Sequence, residues 1–133
     1  MDRPAVEDLT RRWVEAIARG DLDAFDDLVA PDACDRSGQD PSYGAEAFKA
    51  RAAAVRAAFG SIDLRVEDLV VEGDAIAWRW ALTGTHVGPF AAIAPTGRRI
   101  TLRGVNFQRV AAGRVVDHWT MVDVFGAVRA LGS

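Results

Sequence analysis

The stretch RITLRGVNFQRVAAGRVVDHWTMVD, residues 99–123, decides the fold class of this chain. Apolar residues alternate with polar ones on both sides of Ala111-Ala112-Gly113, which predicts a β-hairpin, since the side chains of a strand point alternately to its two faces. A three-residue turn with glycine last would pair Val110 with Arg114. Counting on from that pair predicts three more cross-strand pairs: Phe107–Asp117, Val105–Trp119 and Arg103–Met121.

This register divides the hairpin into two faces. We expect the face that carries the large apolar groups to point inward. This face comprises Arg103, Val105, Phe107, Trp119, Met121 and Asp123, together with Asp117 near the solvent-accessible tip of the hairpin. The opposite face, expected to point outward, comprises Asn106, Gln108, His118 and Thr120. Asp123 would then end a largely apolar row, where a carboxylate needs a partner or a purpose.

Two more strands precede the hairpin. Apolar and charged residues alternate from Ile62, and the turn Gly73-Asp74 leads into residues 75–84, where Trp78 and Trp80 share one face. Both segments therefore have the period of a half-buried strand. With the hairpin they predict an antiparallel meander.

The first part of the chain has the helical period instead. Apolar residues recur at three- and four-residue spacing within residues 6–17, 22–29 and 45–59, which predicts three helices. Residues 31–44, with two prolines and two glycines, predict a long loop, and residues 126–131 a short helical tail. Helices followed by a meander predict a single α+β domain over residues 1–133, with the sheet packed on the three N-terminal helices.

Composition narrows the classes of function. The chain has 133 residues, a formal charge of −3 and no basic run, which argues against nucleic acid as a partner. Residues 1–20 are too charged for a signal peptide or a membrane span, so no membrane association is predicted. The single cysteine, Cys34, excludes an internal disulfide and favours a reducing compartment. We therefore expect a cytoplasmic protein.

Four motifs carry a resemblance to a known family. Trp80–His86, Pro95–Arg99, Gly113–Trp119 and Asp123, in this order and spacing, resemble the SnoaL-like polyketide cyclases of the nuclear transport factor 2-like superfamily. The resemblance implies a cone-shaped barrel with a strongly curved antiparallel sheet, a pocket for a hydrophobic small molecule between sheet and helices, and a homodimer through the outer face of the sheet. It also implies that Asp123 is the acid/base of an intramolecular aldol closure, without metal or organic cofactor.

The pairing of Asp123 with Arg103 leaves alternatives open. If the guanidinium of Arg103 touched the Asp123 carboxylate, it would lower the pKa of that carboxylate by about one to three units. The pair would then be a structural ion pair and Asp123 a weak base. If the two were held apart, Arg103 would stabilise the enolate while Asp123 moved the proton. A third alternative is that Asp123 caps the C-terminal helix.

The remaining site candidates follow from the predicted faces and from the loop. We expect substrate contacts from Trp119, Met121, Phe107, Val105, His86, Arg36 and Tyr43. Relatives often have histidine after Pro-Asp-x-x-Asp, whereas Arg36 stands here and could bind a substrate anion or an enolate oxygen. His118 is predicted to serve the surface or a dimer interface. The two histidines have no third ligand at a useful spacing, so no metal site is predicted.

Three functions fit these observations. The first is a polyketide or ester cyclase, and the second is an isomerase, dehydratase or epoxide hydrolase that keeps Asp123 as its base. The third is a ligand-binding or dimerisation module without catalysis. One fold can host all three.

Overall fold

The computed structural model describes residues 1–132 and has three helical segments before the long strands and one after them. The helical segments are α1 (Arg3–Arg19), a 3₁₀ turn (Leu22–Ala24) that continues into α2 (Phe25–Leu28), α3 (Ala45–Ala58) and α4 (Val124–Gly132). The Asp2 side chain caps α1 by accepting from the Ala5 amide at 2.9 Å. Gly20 ends α1 with φ 75°, a left-handed conformation that glycine adopts without strain. The three predicted N-terminal helices and the helical tail are thereby confirmed.

Six strands form one sheet in the order β2-β1-β6-β5-β4-β3. Their bounds are β1 (Val29–Asp35), β2 (Ser42–Tyr43), β3 (Phe59–Glu72), β4 (Ala75–His86), β5 (Arg99–Ala111) and β6 (Arg114–Val122). The long strands β3 to β6 make the antiparallel meander that the alternating pattern predicts. The α+β class is confirmed.

The sheet differs from the prediction at its β1 edge. Strand β1 lies partly in the segment predicted as loop, and it pairs with β6 in parallel, so the sheet is mixed and not purely antiparallel. The ladder is irregular between Val29 and Cys34, where Pro31 has no N–H to donate. Regular pairing resumes at Cys34 and Asp35, which are buried. Tertiary pairing overrides the local turn signals here.

The hairpin register also differs from the prediction. The turn has two residues, Ala112 and Gly113, both with positive φ, and it joins Ala111 directly to Arg114. A bulge between Arg109 and Val110 shifts the pairing further along the strands. Phe107 therefore faces Trp119, and Val105 faces Met121. The observed pairing is displaced by two residues in total from the predicted pairing. Because side chains alternate with a period of two, each face of the hairpin keeps its predicted members.

The direction of the two faces is the reverse of the prediction. Asn106, Gln108 and His118 are 5%, 1% and 2% exposed, whereas Met121 on the other face is 75% exposed. The reason lies on the neighbouring strand β4, whose tryptophans fill the inner side. A Cβ on Gly104 would collide with the Trp80 ring, and the amides satisfy the indole N–H groups. Small and hydrogen-bonding residues therefore point inward.

Candidate active site

A largely apolar cavity of about 270 Å³ lies between the inner face of the sheet and helices α1 and α3. Six aromatic rings line it: Trp13, Phe25, Phe48, Trp78, Trp80 and Phe90. Four polar side chains also face it: Arg51, Asn106, His118 and Thr120. Among residues 1–132, no aspartate or glutamate lines it. An apolar cavity with a few convergent polar groups is the usual form of a small-molecule site.

The imidazole of His118 stands in the wall of this cavity. Its ring stacks on Trp13 with 5.2 Å between centroids and meets Phe48 edge-on at 5.5 Å. Its Nδ1 lies 3.0 Å from Nε2 of Gln108, the residue paired with it across the strands. Burial lowers the pKa of His118 to about 4, against an opposing effect of the Asp35 charge. The ring is therefore neutral at pH 7.

Two indoles hold the amides of β5 in place. Trp78 Nε1 donates to Gln108 Oε1 at 3.2 Å, and Trp80 Nε1 donates to Asn106 Oδ1 at 3.0 Å. A buried indole N–H needs such an acceptor, and all four side chains are at most 9% exposed. The inner face of the sheet is thus an ordered hydrogen-bonded surface.

Arg51 reaches the cavity from α3 and is anchored by a buried carboxylate. Its Nε donates to Asp35 Oδ2 at 2.8 Å, and Asp35 Oδ1 accepts from the Ser37 amide at 3.0 Å. Burial by itself would raise the pKa of Asp35, but the hydrogen bonds from Ser37 and the Arg51 charge hold it below the ordinary value. Asp35 is only 3% exposed, whereas its partner Arg51 is exposed.

Lowering the pH from 6.5 to 4 is expected to destabilise the protein through His118. The unfolded chain protonates this residue near its ordinary pKa of 6.5, whereas the folded state keeps it neutral until about pH 4. Because the unfolded state binds more protons in this window, the contribution of His118 to the free energy of unfolding is fully present above pH 6.5. That contribution falls by about 3 kcal/mol as the pH is lowered to 4. Urea unfolding of wild type and His118→Gln across the window measures this.

The variant should lose that part of the pH dependence. Asp35 titrates below the window, because its folded pKa lies below 3.8, and Arg51 stays charged throughout. Equal pH dependence in the two proteins would contradict the prediction.

Asp123 lies at the end of β6, where the chain leaves the sheet. Its side chain is exposed, and its Oδ1 accepts from the Gly126 amide at 2.8 Å, so it caps α4. The expectation that it ends an inward apolar row is wrong, because that row faces solvent. Its neighbours Val122 and Val124 both line the cavity, however. The carboxylate therefore stands beside the cavity and not within it.

Arg103 lies on the exposed outer face of β5. Its carbonyl oxygen accepts from the Asp123 amide at 2.8 Å, but the two side chains form no ion pair within the described residues. The ion-pair alternative is therefore wrong. Its guanidinium does not line the cavity either, so the proposed contact with an enolate has no support in the geometry.

None of the seven residues predicted to contact substrate lines the cavity within residues 1–132. Four lie on the outer face: Val105, Phe107, Trp119 and Met121. There the rings of Phe107 and Trp119 contact each other edge-on at 5.6 Å between centroids. The inward direction predicted for this face is wrong, because the tryptophans of β4 already occupy the interior.

The three other candidates have structural contacts. His86 is fully buried, and its Nδ1 lies 3.0 Å from Thr96 Oγ1 and accepts from the Thr96 amide at 3.1 Å. It thereby holds the loop after β4. Arg36 pairs with Asp117, with 2.8 Å between Nε and Oδ1, and Tyr43 is 64% exposed. None of the three lines the cavity within residues 1–132.

Sequence reasoning missed the four polar residues that do line the cavity. One signal could have indicated two of them. Trp78 and Trp80 are two residues apart on one face of β4 and need buried acceptors, and the amides of Asn106 and Gln108 have the same spacing on the next strand. Placing the amides inward also places His118 and Thr120 inward, since they pair with them.

Residues 1–132 contain neither a candidate metal site nor a candidate membrane-spanning helix. No group of three histidine, cysteine, aspartate or glutamate side chains is arranged to hold a metal ion. No helix there is long and apolar enough to span a membrane. Cys34 is a free, buried cysteine.

Comparison with known proteins places this chain among the SnoaL-like polyketide cyclases. The sequence profile of the SnoaL-like polyketide cyclases matches residues 7–131. Aklanonic acid methyl ester cyclase DnrD of Streptomyces peucetius is 31% identical over 132 residues, covering 94% of this chain and 89% of the relative. Nogalonic acid methyl ester cyclase of Streptomyces nogalater is 31% identical over 123 residues, covering 90% and 91%.

A solved structure extends the comparison to three dimensions. TsrD from Streptomyces laurentii superposes with a TM-score of 0.91 at 28% identity, covering 99% of this chain and 98% of that one. The architecture described above is therefore shared over nearly the full length of both chains. Its helices and mixed sheet have the arrangement of the cone-shaped nuclear transport factor 2-like fold.

Proposed function

Because this chain belongs to the SnoaL-like polyketide cyclase family, we propose that it closes a ring in a polyketide-derived carbonyl compound by intramolecular aldol addition. The observation that supports this most directly is the apolar cavity, which is lined by four polar side chains that can donate hydrogen bonds and, within residues 1–132, by no carboxylate. Aromatic walls suit a flat, apolar substrate, and donors suit its carbonyl oxygens. Two relatives are named as cyclases of aklanonic acid methyl ester and of nogalonic acid methyl ester.

The chemistry needs only proton transfers and one new carbon–carbon bond. A base takes the acidic proton between two carbonyl groups, and the resulting enolate carbon attacks a ketone carbon of the same molecule. The alkoxide so formed takes a proton back, so substrate and product have the same composition and no co-reactant is consumed. Hydrogen-bond donors around the enolate oxygens lower the barrier because charge develops there.

Asp123 is the proton acceptor in this proposal. It is an exposed carboxylate beside two cavity-lining residues, and the cavity itself offers no carboxylate within residues 1–132. A substrate that protrudes from the cavity would bring its acidic carbon to this position. The proposal assigns no contact with the reacting atoms to Arg103.

Asp123→Asn is expected to lower kcat by about 100-fold or more, as loss of a general base does. Asparagine caps a helix about as well as aspartate, so the bond from Gly126 is kept and folding should change little. Turnover is followed with aklanonic acid methyl ester, the compound for which a relative is named. Asp27→Asn, which changes an exposed carboxylate on α2, is the matched control.

The outcomes separate the functions. Unchanged turnover in Asp123→Asn would restrict Asp123 to its capping role. Wild type that binds the ester without converting it would favour the ligand-binding alternative, and a dehydrated or isomerised product would favour the second enzymatic class. Cofactor independence, a homodimer through the exposed sheet face and a cytoplasmic location stay predictions.

A further inference from the structure

We infer that His118 and Asn106 form a site for two oxygens over which the charge of a conjugated enolate is delocalised, each presenting an N–H group to the cavity. The inference rests on the proposed function, since it names how that substrate would be held. It depends on the direction of hydrogen bonds that begin at two buried tryptophans. The class of ligand is a planar enolate or phenolate whose charge is shared between oxygens.

The first chain of hydrogen bonds determines the tautomer of His118. An indole N–H can only donate, so Gln108 Oε1 must accept from Trp78. The other end of the same amide, Nε2, can only donate, and it lies 3.0 Å from His118 Nδ1. Nδ1 is therefore the acceptor. In the neutral ring the proton must then be on Nε2.

The Nε2–H group of His118 has no protein acceptor. Its hydrogen bonds within residues 1–132 are accounted for by Nδ1, and the ring lines the cavity. A donor that faces an apolar cavity costs free energy unless a ligand or water accepts from it. The ring is held by stacking on Trp13 and by Phe48 at its edge, so the donor has a fixed direction. His118 is thus built to donate and not to remove a proton.

Asn106 presents the second donor by the same logic. Trp80 Nε1 donates to its Oδ1 at 3.0 Å, which leaves both N–H bonds of Nδ2 for another acceptor. Nδ2 has no partner within the described residues, and the side chain lines the cavity. Asn106 and His118 are diagonal neighbours on β5 and β6, about 7 Å apart at Cα. Their side chains can therefore converge on one small ligand.

The charges around the cavity favour an anionic acceptor. Arg51 brings a guanidinium to the lining, and its partner Asp35 does not line the cavity. Thr120, which pairs with Asn106 across the strands, adds a hydroxyl. In apolar surroundings each such donor stabilises a negative oxygen more than it would in water.

The tautomer is tested by nitrogen NMR on protein labelled with ¹⁵N-histidine. Wild type should show His118 with a protonated Nε2 and an unprotonated Nδ1, and the variant His86→Gln identifies which signals belong to His118. Gln108→Glu replaces the donor by a carboxylate that can only accept, so His118 should become protonated at Nδ1. A wild-type ring protonated at Nδ1 would overturn the inference.

Anion binding is tested with 4-nitrophenol, whose phenolate has its own absorption band. The donors should lower the pKa of the bound probe below that of the free probe, whereas an apolar cavity without donors would raise it. His118→Phe and Asn106→Leu should each weaken phenolate binding about tenfold or more, and Phe107→Leu on the outer face should not. Asn106→Leu keeps the test valid if His118→Phe fails to fold.

A raised pKa of the bound probe in wild type, or equal binding by all variants, would overturn the site. Neither readout uses turnover. If the NMR and probe results are as expected and no ring closure occurs, the enolate site stands and the reaction is another one. If ring closure occurs and the probe pKa is raised, the proposed function stands and the enolate site is wrong.

Discussion

Replacing Gly104 by alanine is expected to destabilise the fold by about 2–3 kcal/mol and to abolish ligand binding in the cavity. A Cβ at this position would collide with the Trp80 ring and lie 2.7 Å from the Met121 carbonyl oxygen. Both contacts are closer than a Cβ atom tolerates, so the Trp80 ring must move and strands β5 and β6 must separate locally. Trp80 lines the cavity, and its displacement would fill that space and break its bond to Asn106.

Urea unfolding gives the free energy, and 4-nitrophenol binding reports on the cavity. Gly38→Ala is the matched control, because a Cβ there would have the Asp40 carbonyl oxygen, 3.6 Å away, as its only near contact. That variant should stay within about 0.5 kcal/mol of wild type. A Gly104→Ala protein with wild-type stability and binding would show that the Trp80 ring can be accommodated elsewhere.

The second large effect is expected from Arg51→Met, which should destabilise the protein at pH 7 by about 3 kcal/mol. The variant leaves the Asp35 carboxylate buried without its counter-charge, and the hydrogen bonds from Ser37 are what remains to stabilise it. Asp35→Asn should cost less, because the Arg51 side chain is 43% exposed and can be hydrated when its partner is neutral. Removing Arg51 should therefore lower the free energy of unfolding more than removing the charge of Asp35 does.

The pH dependence of Arg51→Met provides a separate check. In wild type the folded pKa of Asp35 is lowered, so its contribution is present above pH 3.8 and is lost as the pH falls through the folded value. Without Arg51 that pKa should rise, because burial then opposes the Ser37 hydrogen bonds alone. The penalty should therefore shrink as the pH falls and the carboxyl group becomes neutral. Urea unfolding at pH 4 and pH 7 measures the difference.

Arg11→Met is the control for loss of an arginine. Arg11 contacts Asp8 and Glu15 on the exposed face of α1, and such pairs contribute at most about 1 kcal/mol. Equal effects of Arg51→Met and Arg11→Met would contradict the importance of the buried carboxylate.

Local periodicity was enough to predict most elements of this fold. The helical and alternating segments lie where the pattern placed them, with ends displaced by a few residues. Strand β1 was missed because Pro31 and the polar residues after it have loop propensities, and only pairing with β6 makes them a strand. Long-range hydrogen bonds of this kind leave no local signal.

The site could not be predicted to the same extent. The alternating pattern predicts Asp123 at the inner end of an apolar row, whereas Asp123 caps α4 beside the cavity. The same pattern predicts His118 on the outer surface, whereas His118 lines the cavity. Both errors follow from one assumption, that the face with the larger apolar residues is the inner one.

By itself, then, the sequence determined the α+β class, the hairpin and the division of its residues between two faces, because a strand period of two is a property of the local backbone. A register error of two residues leaves that division unchanged. Only the tertiary structure decided which face is inner. Trp78 and Trp80 fill the interior from β4, so the space beside them suits Gly104, the amides and His118, and the larger Phe107 and Trp119 face outward.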